Sequence, residues 1–155
     1  MSRHLFLDKA DPASWKAISA LGEEVARTVA AAGISKRCME LVNLRVSQIN
    51  GCAYCLDLHT KRALKAGETS RRLGVLAAWR ETDPGDGLFD ATEHAALAVA
   101  EAATRLPLSE ESHADLAAAR GVLGDQAFAA VEWLALAMNA FNRISILSGH
   151  PVRPE

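Results

Sequence analysis

Two cysteines and a histidine stand close together in the segment Asn50-Gly51-Cys52-Ala53-Tyr54-Cys55-Leu56-Asp57-Leu58-His59. In a reducing compartment a C-x-x-C pair is usually redox-active or a pair of metal ligands. Asn50-Gly51 reads as a turn, so both cysteines are expected in the first turn of the following helix. Unpaired N–H groups and the helix dipole favour an anion there. A free thiol has a pKa of about 8.5, and helix N-termini or C-x-x-C contexts lower it to roughly 3.5–7.5. His59 follows Cys55 by four residues, on the same helix face, where an imidazole can take the thiol proton or stabilise the thiolate. Cys52 and Cys55 are neighbours at three-residue spacing and can form a disulfide without unwinding the helix. Together these residues have the parts of a dithiol redox centre: a nucleophile, a resolving thiol and a base.

Other readings use the same residues. Cys52, Cys55, His59 and Glu40 could offer thiolate, imidazole and carboxylate to zinc. Cys and His four apart on one continuous helix strain a tetrahedron that also needs Cys52, and the redox centre is the reading preferred. A redox sensor without turnover would use the same disulfide.

The elements that must position these groups are helices. The chain has 155 residues, of which 30 are alanine, with Leu, Glu, Arg and Lys filling much of the rest. All are strong helix formers, and no alternating β-branched run marks a strand. Punctuation predicts one all-α domain over 1–155 of about seven helices. Asp11-Pro12 starts the first, with a stripe of Trp15, Ile18, Leu21, Val25 and Val29, and Gly33 closes it. Ser35 caps the second, which carries Glu40, Leu41 and Leu44 and stops near Asn50-Gly51. The third runs from Cys52 to Gly67, and Thr69 or Ser70 starts the fourth, ending near Trp79. A loop spans Thr82 to Gly87. Asp90 and Glu93 form a capping box for the fifth, which ends before Pro107. Ser109 caps the sixth, with Gly121 as its end, and Asp125 opens the last.

Glu40, eleven residues, Cys52-x-x-Cys55, three residues and His59: this spacing resembles the core signature of the AhpD-like alkylhydroperoxidases, in the carboxymuconolactone decarboxylase superfamily. The resemblance covers roughly residues 12–105, with an echo at Ala140-Phe141-Asn142-Arg143. It implies an AhpD-like helical fold with a redox core near residues 35–67. Cys55 would be the peroxidatic thiol and Cys52 the resolving one, with Glu40 and His59 as a proton relay. The implied activity is a thiol-dependent, antioxidant hydroperoxide reductase, and the implied assembly is a homo-oligomer, a trimer or hexamer. One position departs: family members carry a second histidine just before the peroxidatic cysteine, where this chain has Tyr54, a poor base near neutrality and a pocket or relay residue instead.

Composition removes other classes. The chain is 50% hydrophobic and 23% charged, with formal charge −2, so nothing points to nucleic acid or an anionic membrane. No apolar run approaches a membrane span and no secretory signal opens the sequence, so the expected compartment is the cytoplasm. No flavin, haem or nucleotide motif is visible and no cofactor or metal is expected. Electrons must then come from an external dithiol, thioredoxin-like or lipoyl-bearing. Cys38, His94, His113, His150 and the pair Asn142-Arg143 read mainly as structural or surface residues, and the three tryptophans as core or interface packing.

Overall fold

The computed structural model describes residues 3–154. Asp11 accepts a hydrogen bond from the Ser14 N–H at 3.1 Å and Pro12 opens the helix, as the pairing of acid and proline predicts. The same logic holds at Ser35, Thr69, Asp90 and Ser109, each of which caps the helix that follows. At Asp90 the capping box is complete, with the Asp90 N–H donating to the Glu93 carboxylate at 2.9 Å. The resulting order is α1 Leu7–Ala10, α2 Pro12–Ala31, α3 Lys36–Asn50, α4 Ala53–Lys65, α5 Ser70–Val75, α6 Ala91–Thr104 and α7 Glu110–Ser148. Two 3₁₀ segments, Leu76–Glu81 and Pro84–Asp86, join α5 to α6. Among the described residues there is no strand.

Several boundaries differ from the sequence reading: the fourth helix gives way at Leu76 to a 3₁₀ segment instead of running on to Trp79. The helix after Ser109 does not stop at Gly121. It runs to Gly124, where φ 74° and ψ 162° break the helix before it resumes. Both glycines were available, and the one that takes the left-handed φ is the one spanned by an ion pair, Arg120 to Asp125 at 2.7 Å. The short α1 carries no capping side chain and had no sequence signal. It is held from outside, by the Leu7 N–H donating to the Ser148 Oγ at 3.1 Å.

Helix α3 occupies the centre and packs against α4, α6 and α7. On one face Val42 and Val46 join Val29, Val99, Val131 and Met138 in the larger core. On another, Leu41 and Leu44 meet Leu76, Trp79, Phe89 and Leu97. Alanines at 95, 96, 98, 100 and 102 are buried along α6, and these short side chains let α6 lie close against α7. Trp79 is core, as expected, and Trp15 is half-exposed with its ring edge-on to Phe141 at 6.0 Å. Trp133 is 51% exposed on α7. No helix among the described residues is long and apolar enough to cross a membrane.

A buried ion cluster ties α5 to α6. Arg72 reaches Glu68 at 2.8 Å and Glu93 at 2.5 Å, donates to the Leu88 carbonyl and lies over the Phe89 ring at 4.9 Å. Burial pushes the Glu68 carboxyl up, but Arg72, helped by Arg37, outweighs it and holds its pKa below the ordinary value. The Arg72→Ala variant leaves the buried Glu93 carboxylate without its cation and Glu68 with only the more distant Arg37, so urea unfolding is expected to show a loss of about 3 kcal/mol. Because the Glu68 pKa is depressed in the fold, its contribution is present at neutral pH and is lost as the pH falls below the glutamate range. Arg72→Ala should therefore flatten the acid limb of the stability–pH curve.

Candidate functional site

Gly51 ends α3 in the left-handed region at φ 67°, a conformation that suits glycine, and the chain doubles back at once into α4. The Cys52 N–H donates to the Ser47 carbonyl at 3.1 Å, which fixes the start of the new helix. Cys52 proves to be the N-cap of α4 rather than a member of its first turn, and its Sγ accepts from the Cys55 N–H at 3.4 Å. Cys55 lies in that first turn. The two Sγ atoms are 2.6 Å apart, and both cysteines are free.

Their surroundings differ. Both are buried, Cys55 4% and Cys52 1% exposed, but Cys55 lines a cavity of about 770 Å³ and Cys52 does not. Burial first, and then the neighbouring Cys55 sulfur, push the Cys52 thiol up to about 12; the Cys55 N–H and the Ser145 hydroxyl pull the other way. Cys38, on α3, is also pushed up to about 12, chiefly by burial and then by the nearby Glu93 carboxylate.

Across from the sulfurs, Glu40 of α3 and His59 of α4 form a buried pair. The His59 Nδ1 lies 2.6 Å from the Glu40 Oε2, with the residues 4% and 1% exposed. A carboxylate on Nδ1 orients the ring and leaves Nε2 as the nitrogen that can exchange a proton. Both residues line the cavity, as does Cys55 one helical turn earlier. The four residues singled out by spacing thus share one site, although His59 bonds to Glu40 and not to Cys55.

Sequence reasoning passed over three further residues of this site. Asn43, one turn after Glu40, donates to the Glu40 Oε2 at 3.4 Å, and its buried Oδ1 has no hydrogen-bond partner in the protein. Its position three residues after Glu40 was the available signal. Ser145 and His150 also line the cavity. No local signal marks either, because only packing of the end of α7 near α4 brings them in. Tyr54 lines the cavity too, its ring 5.4 Å from that of His150.

The remaining candidates are structural. His94 bonds to the Thr82 Oγ1 at 3.1 Å and packs on Trp79, His113 is exposed, and Asn142 donates to the Ser47 Oγ at 3.0 Å between α7 and α3. Among the described residues no three His, Cys, Asp or Glu side chains converge in a way that could hold a metal ion.

The family model for carboxymuconolactone decarboxylases matches residues 12–102. The chain belongs to the carboxymuconolactone decarboxylase family. A relative from Bacillus subtilis, the uncharacterized protein YdfG, is 35% identical over 117 residues, 76% of this chain and 77% of that protein. The alkyl hydroperoxide reductase AhpD of Coxiella burnetii is 49% identical over 39 residues, 25% of this chain and 22% of that one. Among solved structures, ATU0492 of Agrobacterium tumefaciens superposes with a TM-score of 0.82 at 25% identity, over 99% of this chain and 100% of that one. It is a protein of unknown function, described as a candidate antioxidant defence protein AhpD. This carboxymuconolactone decarboxylase family member is therefore AhpD-like, in a family that includes both decarboxylases and AhpD proteins, and its relatives suggest an antioxidant role.

The unequal settings of the three thiols have a direct chemical consequence. Iodoacetamide at pH 8 is expected to alkylate Cys55 first, with Cys52 and Cys38 at least about tenfold slower. Peptide mass mapping over time reads the order, and equal rates at Cys52 and Cys55 would contradict it.

Proposed function

We propose that this protein is a thiol-dependent hydroperoxide reductase that cycles a Cys52–Cys55 disulfide. The observation that carries the reading is the meeting of two free thiols, one facing a cavity, with a buried carboxylate–imidazole pair on the same cavity wall. Cys55 passes its proton toward the Nε2 of His59, whose imidazolium Glu40 stabilises. The Cys55 thiolate then attacks the O–O bond of the hydroperoxide. A sulfur–oxygen bond forms, the O–O bond breaks, and the leaving alkoxide takes a proton from His59 to depart as an alcohol. Cys52 attacks the resulting sulfenic acid, forming the disulfide and releasing water. An external dithiol, thioredoxin-like or lipoyl-bearing, reduces the disulfide and is itself oxidised to a disulfide.

Size and lining favour an organic hydroperoxide over hydrogen peroxide. A cavity of about 770 Å³ walled by Trp15, Val25, Met39, Leu58, Leu134 and Phe141 holds an apolar body. The unpaired Oδ1 of Asn43 gives the hydroperoxide O–H an acceptor beside Glu40. Exposed Trp133, Leu136 and Leu147 on α7 support assembly with further copies of the chain, a trimer or hexamer.

Cumene hydroperoxide consumption with a supplied dithiol tests the reading. Cys55→Ser is expected to abolish it, and Cys52→Ser to accumulate a sulfenic acid that dimedone traps. Glu40→Gln should lower the turnover by about 100-fold without unfolding the protein. Full turnover by Cys55→Ser would sink the proposal.

A further inference from the structure

Helix α4 presents one stripe to the cavity: Cys55, Leu58, His59 and Arg62, the i, i+3, i+4, i+7 spacing of a single helix face. The stripe runs from a sulfur to a guanidinium, past an apolar side chain and the imidazole. Seven residues are close to two turns, which puts Arg62 about 10 Å beyond Cys55 along the helix axis. The two ends differ in exposure as well. Cys55 and His59 are buried, as are Glu40 and Asn43, whereas Arg62 is exposed. The cavity thus has a buried polar floor, apolar walls from Trp15, Val25, Met39, Leu134 and Phe141, and a rim that faces solvent.

That rim is cationic. Lys9 and Arg153 also line the cavity and are exposed. Among the described residues neither they nor Arg62 take part in an ion pair. Lys9 lies over the Phe6 ring at 4.9 Å. Of the carboxylates on the lining, Glu40 has His59 and Asp8 has His150 at 3.3 Å, which leaves Glu23 as the one without such a partner. A guanidinium at the edge of an apolar cavity, with no protein carboxylate to hold, is placed to take one from a ligand. On the floor, the buried Asn43 Oδ1 has no partner in the protein and can accept from the ligand's O–H. An occupant that satisfies both ends carries a hydroperoxyl group at one, an anion at the other and hydrocarbon between them.

We propose that the cavity takes an amphipathic acid hydroperoxide of the oxidised fatty-acid type, whose carboxylate pairs with Arg62 while its peroxide group lies at Cys55. The inference rests on the peroxidase reading given above and names its substrate class. The product is then the corresponding hydroxy acid. The O–O bond breaks, the two thiols give up two electrons and two protons, and the disulfide and one water are formed. Arg62 meets the substrate far from the reacting oxygens, so it sets specificity and position and takes no part in the bond changes. Lys9 and Arg153 add to the positive field at the rim, which draws the anion in. The distance of about two helical turns from sulfur to guanidinium disfavours acids whose peroxide lies next to the carboxyl group.

Calorimetric titration of the reduced, full-length protein with dodecanoate and with dodecan-1-ol tests the binding without any peroxide. Dodecanoate is expected to bind more tightly than the alcohol, and added salt to weaken the acid alone. Arg62→Gln should weaken dodecanoate about fivefold, and Arg62→Lys, which keeps the charge, by less. In turnover with a supplied dithiol, Arg62→Gln should raise the KM for a linoleic acid hydroperoxide about fivefold relative to its methyl ester, with little change in kcat. Equal affinity of the wild-type protein for acid and alcohol overturns the proposal. So does an acid preference that Arg62→Gln leaves intact, since the anion is then held elsewhere. If the preference depends on Arg62 but no hydroperoxide is consumed, the peroxidase reading fails while the carboxylate site stands. If the wild-type protein consumes the acid hydroperoxide and its ester with equal kcat/KM, the carboxylate site fails while the peroxidase reading stands.

Discussion

A helix buried on every side can carry charged groups only where each finds a partner, and α3 is such a helix. Glu40, Asn43, Arg45 and Ser47 all lie within it and all are buried. Leaving one of their charges unpaired would cost several kcal/mol, so the neighbouring helices must arrive with the matching groups. Glu40 meets His59 from α4, Arg45 meets Glu101 from α6 at 2.8 Å, and Ser47 meets Asn142 from α7. The apolar contacts supply most of the driving force, but they are tolerant of small slides. These three pairings are not, and they fix how α4, α6 and α7 are set around the centre.

The same constraint builds the site. Because Glu40 must reach His59, the tight reversal at Gly51 places α4 beside α3 and fixes which face of α4 points to the cavity. Cys55 shares that face, while Cys52, at the cap, turns beneath it. One turn of chain thus separates a sulfur open to the cavity from one enclosed by protein. The two thiols have the same covalent structure and differ through solvation and neighbours alone.

Much of this was legible in the sequence, and the legible part shares one physical character: it is local. Caps at Asp11, Ser35, Thr69, Asp90 and Ser109 involve atoms within three or four residues, and the cysteine–histidine spacing on α4 is a property of a single helix. The link from Glu40 to Cys52 crosses a turn, and it could be read because family resemblance stood in for the missing geometry. What escaped needed distant segments. The sequence reading puts the break at Gly121, one of two glycines near it, where α7 in fact breaks at Gly124. It could not bring Ser145 and His150 to the cavity, or show that the Leu7 N–H of α1 reaches Ser148. His150 read as a residue of the C-terminal tail with little to do, whereas its ring stacks on Phe6 and neighbours Tyr54 on the cavity wall.

That wall is stitched together from segments far apart in the order of synthesis. Phe6 and Asp8 emerge early, the two thiols follow, and His150 is made only after the whole of α7. For most of its translation the nascent chain therefore holds Cys52 and Cys55 without the groups that later enclose them. Their chemistry is unguarded during that interval, and any oxidant that meets the ribosome-bound chain finds two bare thiols with no machinery around them. The site is thus acquired late, when α7 docks, and completion of the fold is also the moment at which its sulfurs cease to be equivalent.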